Sequence, residues 1–163
     1  MSTFLIRDLE PADLSAATRI NNDNVPAVSE ADEDKMAHLL AESSIALAAV
    51  EPEDETLLGF CIVMEPGADY GSSNYRWFCE RYDDFIYLDR VAVDEGARGA
   101  GIGAALYREV QDRTGKALFT LEVNLRPRND GSLRFHAREG FTEVGQMETD
   151  YGVLVSMHAK QLR

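Results

Sequence analysis

The chain has 163 residues, 45% hydrophobic and 28% charged, which suits one ordinary globular domain and excludes a disordered or collagen-like chain. Its 29 acidic and 16 basic residues give a formal net charge of −13. Such a surface repels phosphate backbones and anionic membranes, so neither nucleic acid nor membrane is an expected partner, whereas cationic amines are tolerated; the same excess also serves plain solubility.

Thr3 to Leu9 reads as a first strand, closed by Glu10-Pro11. Proline suits a first helical turn, and Pro11 opens a helix carrying Leu14, Ala17 and Ile20. A second helix is expected from Glu30 to Glu42, with Met36, Leu39 and Leu40 as its buried stripe. Ile45 to Val50 and Leu57 to Met64 flank the polar run Glu51 to Glu55, the pattern of an antiparallel hairpin. From Pro66 to Asp84 no period is visible, yet this stretch with Phe85 holds six of the fourteen aromatic residues. A long irregular segment in a compact domain is more often functional than idle.

Phe85 to Val93 is the next strand, followed by a glycine-rich turn and a helix from about Gly101 to Thr114. Ala117 to Val123 is a strand, Asn124 to Arg128 a loop, and Asp130 to Arg138 a helix capped by Gly140. Phe141 to Met147 and Gly152 to Ala159 close the chain as strands. Hairpins in the first half and alternating strands and helices in the second predict a mixed α/β fold whose sheet is not purely parallel.

Cys61 and Cys79 each lie in or beside an apolar stretch, where a reduced, packed thiol is the default. The histidines His38, His136 and His158 are far apart and no CxxC is present, so no metal site is expected. The N-terminus reaches Arg7 and Asp8 before a signal-peptide core forms, and no apolar run approaches ~18 residues. The cytoplasm is the expected compartment.

The most informative stretch is Arg98-Gly99-Ala100-Gly101-Ile102-Gly103, between a strand ending at Val93 and a helix carrying Ala104, Leu106, Tyr107 and Val110. Glycines at a strand-to-helix turn let the backbone approach a ligand, and the first helical N–H groups then face an anion such as a diphosphate. The alternative is a turn whose glycines only allow tight packing. Gly99 to Ala104 also fits the dinucleotide pattern GxGxxG/A, with Glu122 about 20 residues on. Against it, Asp94 to Arg98 separate the turn from its strand, and too little parallel sheet remains for that fold.

Val93 followed by Arg98-x-x-Gly101-x-Gly103 resembles the R/Q-x-x-G-x-G/A acyl-CoA motif of the GNAT superfamily of N-acetyltransferases. Asn129 to Phe141, NDGSLRFHAREGF, is similar to that family's N-x-x-A/S-x-x-L/F-Y-x-x-x-G-F segment. The element order fits over nearly the whole chain, and NYRWFCERYDDFIYLDRVAV resembles a bacterial GNAT subgroup of unassigned substrate. The resemblance implies one GNAT domain over residues 1–163. Its fold is α/β of the α+β type, a twisted mixed sheet of six to seven strands flanked by about four helices. It further implies acetyl transfer from acetyl-CoA, without a metal, to an amine of a small molecule or peptide by direct attack in a ternary complex.

Carried over residue by residue, the N–H groups of Gly99, Ala100, Gly101, Ile102, Gly103 and Ala104 take the diphosphate and Arg98 adds charge. The backbone of Val91, Ala92 and Val93 pairs with pantetheine, an N–H near Val91 serving the oxyanion, and Asn129, Ser132 and Phe135 contact the same cofactor. Alternation places Tyr87, Asp89, Val91 and Val93 on one face of the strand. Asp89 matches an acidic position of the family and is the candidate base; its alternative is pairing with Arg90. Asp83, Asp84 and Tyr87 are candidates for the substrate, the two acids having a solvated-loop alternative. His136 departs from the family pattern, standing where a tyrosine usually protonates the CoA thiolate. An imidazole with a reference pKa of about 6.5 can also donate; a packed histidine, with water or Tyr151 as donor, is the alternative. A non-catalytic acyl-CoA sensor or interaction module is the second class, and an edge strand near the C-terminus offers a surface for a homodimer.

Overall fold

The computed structural model of the chain describes residues 3–163, so the first two residues of the N-terminal segment lie outside it. The chain falls into two compact units, one running up to Met64 together with Asp89–Thr114, the other Glu65–Leu88 together with Gly115–Arg163.

In the first unit, β1 (Leu5–Asp8) leads through a short 3-10 turn, Pro11–Asp13, into α1 (Leu14–Asp23), and α2 (Glu33–Glu42) precedes β2 (Ile45–Val50) and β3 (Leu57–Met64). The helix expected from Glu30 starts three residues later because Asp32 caps it, its carboxylate accepting the Lys35 N–H at 2.8 Å. β2 pairs antiparallel with both β1 and β3, which is the hairpin expected around Glu51–Glu55. Leu14, Ala17 and Ile20 of α1 and Met36 and Leu39 of α2 are buried, while Leu40 is half-buried. Both helices contact β3, and this burial stabilises the unit by about 1.5–3 kcal/mol per large side chain. α4 (Ile102–Arg113) packs on the same three strands, with Leu106, Tyr107 and Val110 inward.

In the second unit, the segment that looked aperiodic contains a helix, α3 (Ser73–Cys79). Ser72 caps it by accepting the Tyr75 N–H at 3.4 Å, and Tyr75 and Phe78 point inward one turn apart. Seven residues supply too few repeats for a period to show, so five α-helices are present among the described residues rather than about four. Phe78 meets Phe85, Tyr82 and Tyr87, building an aromatic core. The Arg81 Cζ stands over the Trp77 ring, 3.8 Å from its centroid, and the ring lies against Gly145, where a Cβ would come within 2.6 Å of it.

β5 (Leu118–Arg126) runs three residues past its expected end, because β7 (Leu154–Gln161) keeps pairing with it through Asn124↔Val155 and Arg126↔Leu154. α5 (Asp130–Arg138) follows, and β6 (Thr142–Glu148) pairs antiparallel with β7. β4 (Phe85–Val93) pairs with β5 in parallel through Phe85↔Leu118, Ile86↔Phe119 and Tyr87↔Thr120, where the register ends. Seven strands in the order β1-β2-β3-β4-β5-β7-β6 thus form a mixed sheet, as the alternating element pattern predicts.

Candidate active site

The glycine turn is built from the end of β4. The Asp94 N–H donates to the Leu58 carbonyl at 2.8 Å, and a 3-10 turn, Glu95–Ala97, then leads to Gly99 and Gly101, whose φ angles are 82° and 83°. That left-handed backbone is why both positions are glycine; a Cβ on either would meet nothing within 4 Å, so the space above them is open. Gly59 serves differently: a Cβ there would stand 3.1 Å from both the Ala92 carbonyl and Ile102 Cγ2.

Gly101 is the N-cap of α4 and makes no side-chain cap, and its carbonyl accepts the Ala105 N–H at 3.0 Å. The N–H groups of Ile102, Gly103 and Ala104 therefore have no partner within the helix, and the dipole favours an anion beside them. Arg98, Gly99, Ala100 and Gly101 are exposed, while Ile102 is buried and anchors the turn. The Arg98 Nη2 donates to Asn24 Oδ1 at 2.9 Å, and Asn24 Nδ2 donates to the Val93 carbonyl at 3.3 Å. Arg19 pairs with Asp94 at 3.3 Å, which offsets one acid near the turn. Open, uncapped and exposed, the turn fits a diphosphate.

Along β4, Asp89, Val91 and Val93 are half-buried and Arg90 and Ala92 are buried, the alternation that period two requires. Asp89 takes the alternative left open for it: its Oδ2 pairs with Arg90 Nε at 2.7 Å, both side chains being 2% exposed. The guanidinium also donates to Asn21 Oδ1 at 3.1 Å and to the Ser29 carbonyl and hydroxyl at 3.2 Å. Asp83 and Asp84 are exposed and precede β4, at the opposite end of that strand from Val91–Val93. Asp84 fastens the start of β5, its carboxylate accepting the Ala117 N–H at 3.1 Å.

At the head of α5, Asn129 accepts the Ser132 N–H at 3.1 Å as a plain N-cap. His136 is 5% exposed, with the rings of Phe135 and Phe141 edge-on at 5.1 and 5.5 Å. Its Nδ1 lies 2.8 Å from the Ser132 carbonyl, an acceptor, so Nδ1 carries the proton. Burial pushes its pKa down to about 4; the bond to the Ser132 carbonyl recovers part of that shift, and His158 adds a smaller lowering. The ring is neutral at neutral pH.

One carboxylate reads in the sequence only as a dinucleotide ribose ligand. Glu122, half-buried in β5, accepts the Tyr87 hydroxyl at 2.7 Å on Oε1 and 2.9 Å on Oε2, and the Asn74 amide at 2.8 Å on Oε1. Tyr87 is 1% exposed and its ring centroid is 5.5 Å from that of Tyr75, so this substrate candidate is an internal support for Glu122. The Tyr75 phenol, which donates to the Glu65 carbonyl at 2.5 Å, is pushed up to about 12 by burial and stays neutral. The signal in the sequence was an acid set in an apolar strand, LFTLEV, where an ionisable group needs a reason.

Among the described residues no group of three or more His, Cys, Asp or Glu is placed to hold a metal ion, and no helix is long and apolar enough to cross a membrane.

The fourth strand of the mixed sheet ends in a glycine turn and an uncapped helix, a geometry that leaves backbone N–H groups open to an anion. The acetyltransferase (GNAT) family model matches residues 14–141, and the chain belongs to this family; acetyl transfer is its general activity. No curated protein matches the sequence. Among solved structures, Ard1 from Thermoplasma volcanium is similar with a TM-score of 0.79 at 17% identity over 98% of each chain. The ribosomal-protein-S18-alanine N-acetyltransferase from Escherichia coli gives 0.73 at 20% identity, covering 98% of this chain and 94% of that one. YncA from Salmonella typhimurium, solved with its cofactor acetyl-CoA, gives 0.70 at 22% identity, covering 99% and 95%. At these identities the likeness is one of fold.

Proposed function

We propose that this chain, acting as a single domain in the cytoplasm, transfers an acetyl group from acetyl-CoA to an amine of a small molecule or peptide by direct attack in a ternary complex. The observation that carries the reading is the exposed, side-chain-free N-terminus of α4 behind two left-handed glycines. Its N–H groups, from Gly99 to Ala104, hold the diphosphate, with Arg98 braced by Asn24 beside them. Val91, Ala92 and Val93 offer backbone to the pantetheine arm, an N–H near Val91 donates to the thioester oxygen, and Asn129, Ser132 and Phe135 contact the same cofactor. Acetyl-CoA, when bound, supplies the acetyl thioester.

For the base we favour Glu122 over Asp89. Asp89 is committed to a buried guanidinium, whereas Glu122 is oriented by a phenol and an amide. A carboxylate so held takes the proton of an incoming ammonium. The acidic surface, Asp83 and Asp84 included, draws cationic amines toward the protein. The role of acid, placed on His136 by its position, requires the ring to give up the proton that the Ser132 carbonyl holds. Tyr151, 63% exposed, and water are the competing donors. Turnover lost in His136→Phe with CoA affinity kept assigns the acid to His136; turnover retained assigns it elsewhere.

The test is thiol release from acetyl-CoA across a panel of a polyamine, amino acids, an aminoglycoside and peptide N-termini. Amine-dependent release with any of them supports the reading. Saturable acetyl-CoA binding with no release from any amine favours the second reading, an acyl-CoA sensor, which the neutral, bonded state of His136 keeps in play.

A further inference from the structure

We propose that Asn74 is a positioning residue for the reaction's base, its side-chain N–H holding Glu122 Oε1 from α3 while the Tyr87 hydroxyl holds the same carboxylate from β4. The inference rests on the reading of Glu122 as the base and deepens it.

Asn74 is the second residue of α3 and is 5% exposed. An ionised carboxylate only accepts, so the nitrogen of the amide must be the end that faces Glu122, at 2.8 Å. The other end follows: Oδ1 is buried and has no hydrogen-bond partner among the described residues. A buried amide oxygen left unpaired weakens a fold, and an apolar side chain of the same size would pack here without that loss. What asparagine supplies and leucine lacks is the N–H on Glu122. A residue that lowers stability while serving a carboxylate in the proposed site is one kept for its chemistry.

The helix that carries Asn74 is itself held. Ser72 caps it, and Tyr75 is fixed by its bond to the Glu65 carbonyl and by its ring against Tyr87. Asn74 from α3 and Tyr87 from β4 both donate to Glu122, and the apolar Met157 is its register partner on β7. Two donors from different elements fix the plane of the carboxylate and favour its ionised form, ready for an ammonium proton.

The experiment compares the full chain with Asn74→Leu and Asn74→Asp. It records melting temperature, steady-state kinetics with an amine from the panel, and the titration of the Glu122 carboxyl by 13C NMR, which needs no substrate. In Asn74→Leu we expect Glu122 to titrate at higher pH and kcat to fall about ten- to a hundredfold. KM for acetyl-CoA stays put, and the melting temperature is unchanged or higher. Asn74→Asp keeps the size but sets oxygen against oxygen, so its Glu122 titration moves upward as well. An unmoved Glu122 titration in both variants overturns the inference, as does a melting temperature that falls together with kcat in Asn74→Leu. Glu122→Gln separates the two readings: full turnover there ends the case for Glu122 as base, while the NMR titration judges the link to Asn74 independently.

Discussion

The Tyr87 hydroxyl is shared between the two oxygens of Glu122, 2.7 Å from one and 2.9 Å from the other, while Asp89, two residues along the same strand, is paired with Arg90 at 2.7 Å. Glu122 thus accepts from a phenol while Asp89 pairs with a guanidinium, and the two should respond to mutation in opposite ways.

Glu122→Gln is expected to lower kcat/KM by about 10²–10⁴ with little change in melting temperature, because it removes a base without emptying space. Asp89→Asn should instead cost stability, roughly 3–5 kcal/mol, because it removes the carboxylate charge paired with the buried Arg90 guanidinium. Kinetics and urea unfolding on both variants check this; the reverse pattern would return the base to Asp89.

Gly101→Asp places a side chain on a backbone with φ of 83° and a negative charge at the uncapped end of α4. The strain costs about 1–2 kcal/mol, which the fold should survive, since a Cβ there clashes with nothing. CoA affinity should fall at least about tenfold, the equivalent of 1.4 kcal/mol. Equilibrium binding of CoA reads the outcome, and affinity kept within about twofold would show that the diphosphate is held elsewhere.

His136 makes a pH prediction with a definite sign. Its folded pKa, lowered by burial to about 4, lies below the value near 6.5 expected in the unfolded chain. Between those values the unfolded state binds the extra proton, so this contribution is complete above about 6.5 and is lost as the pH falls toward 4, by about 3 kcal/mol. His158, also lowered by burial, acts in the same direction. Urea unfolding from pH 7.5 to 4.5 should show a shallower acid loss in His136→Phe than in the parent chain, and parallel curves would contradict the assignment.

Gly145 gives a packing prediction. Because a Cβ would stand 2.6 Å from Trp77, Gly145→Val must push the indole out from beneath Arg81, at a cost of about 1–3 kcal/mol. Trp77 is the sole tryptophan, so its fluorescence reports the change directly. An unaltered spectrum and stability would mean that α3 does not rest on β6 there.

Much of this architecture was legible in the sequence because its elements carry long, regular patterns. β2, β3, β4 and α5 fall at the residues expected, and the glycine turn stands between β4 and α4 as read. Helix α3 was not legible, since two inward side chains in seven residues make no period. The sequence shows Glu122 only as a fit to a ribose ligand, because what distinguishes it is a pair of donors brought from α3 and β4, and local spacing carries no trace of such contacts. The sequence leaves the pairing of Asp89 with Arg90 open, because neighbours on a strand point to opposite faces and only the reach of the arginine side chain joins them.

The most direct test of the account is calorimetric titration of the chain with acetyl-CoA, with NADH titrated in parallel. The account predicts saturable, one-to-one heat with acetyl-CoA and none with NADH, both ligands presenting a diphosphate but only one an acyl-pantetheine arm. Saturable binding of NADH with no binding of acetyl-CoA would contradict it.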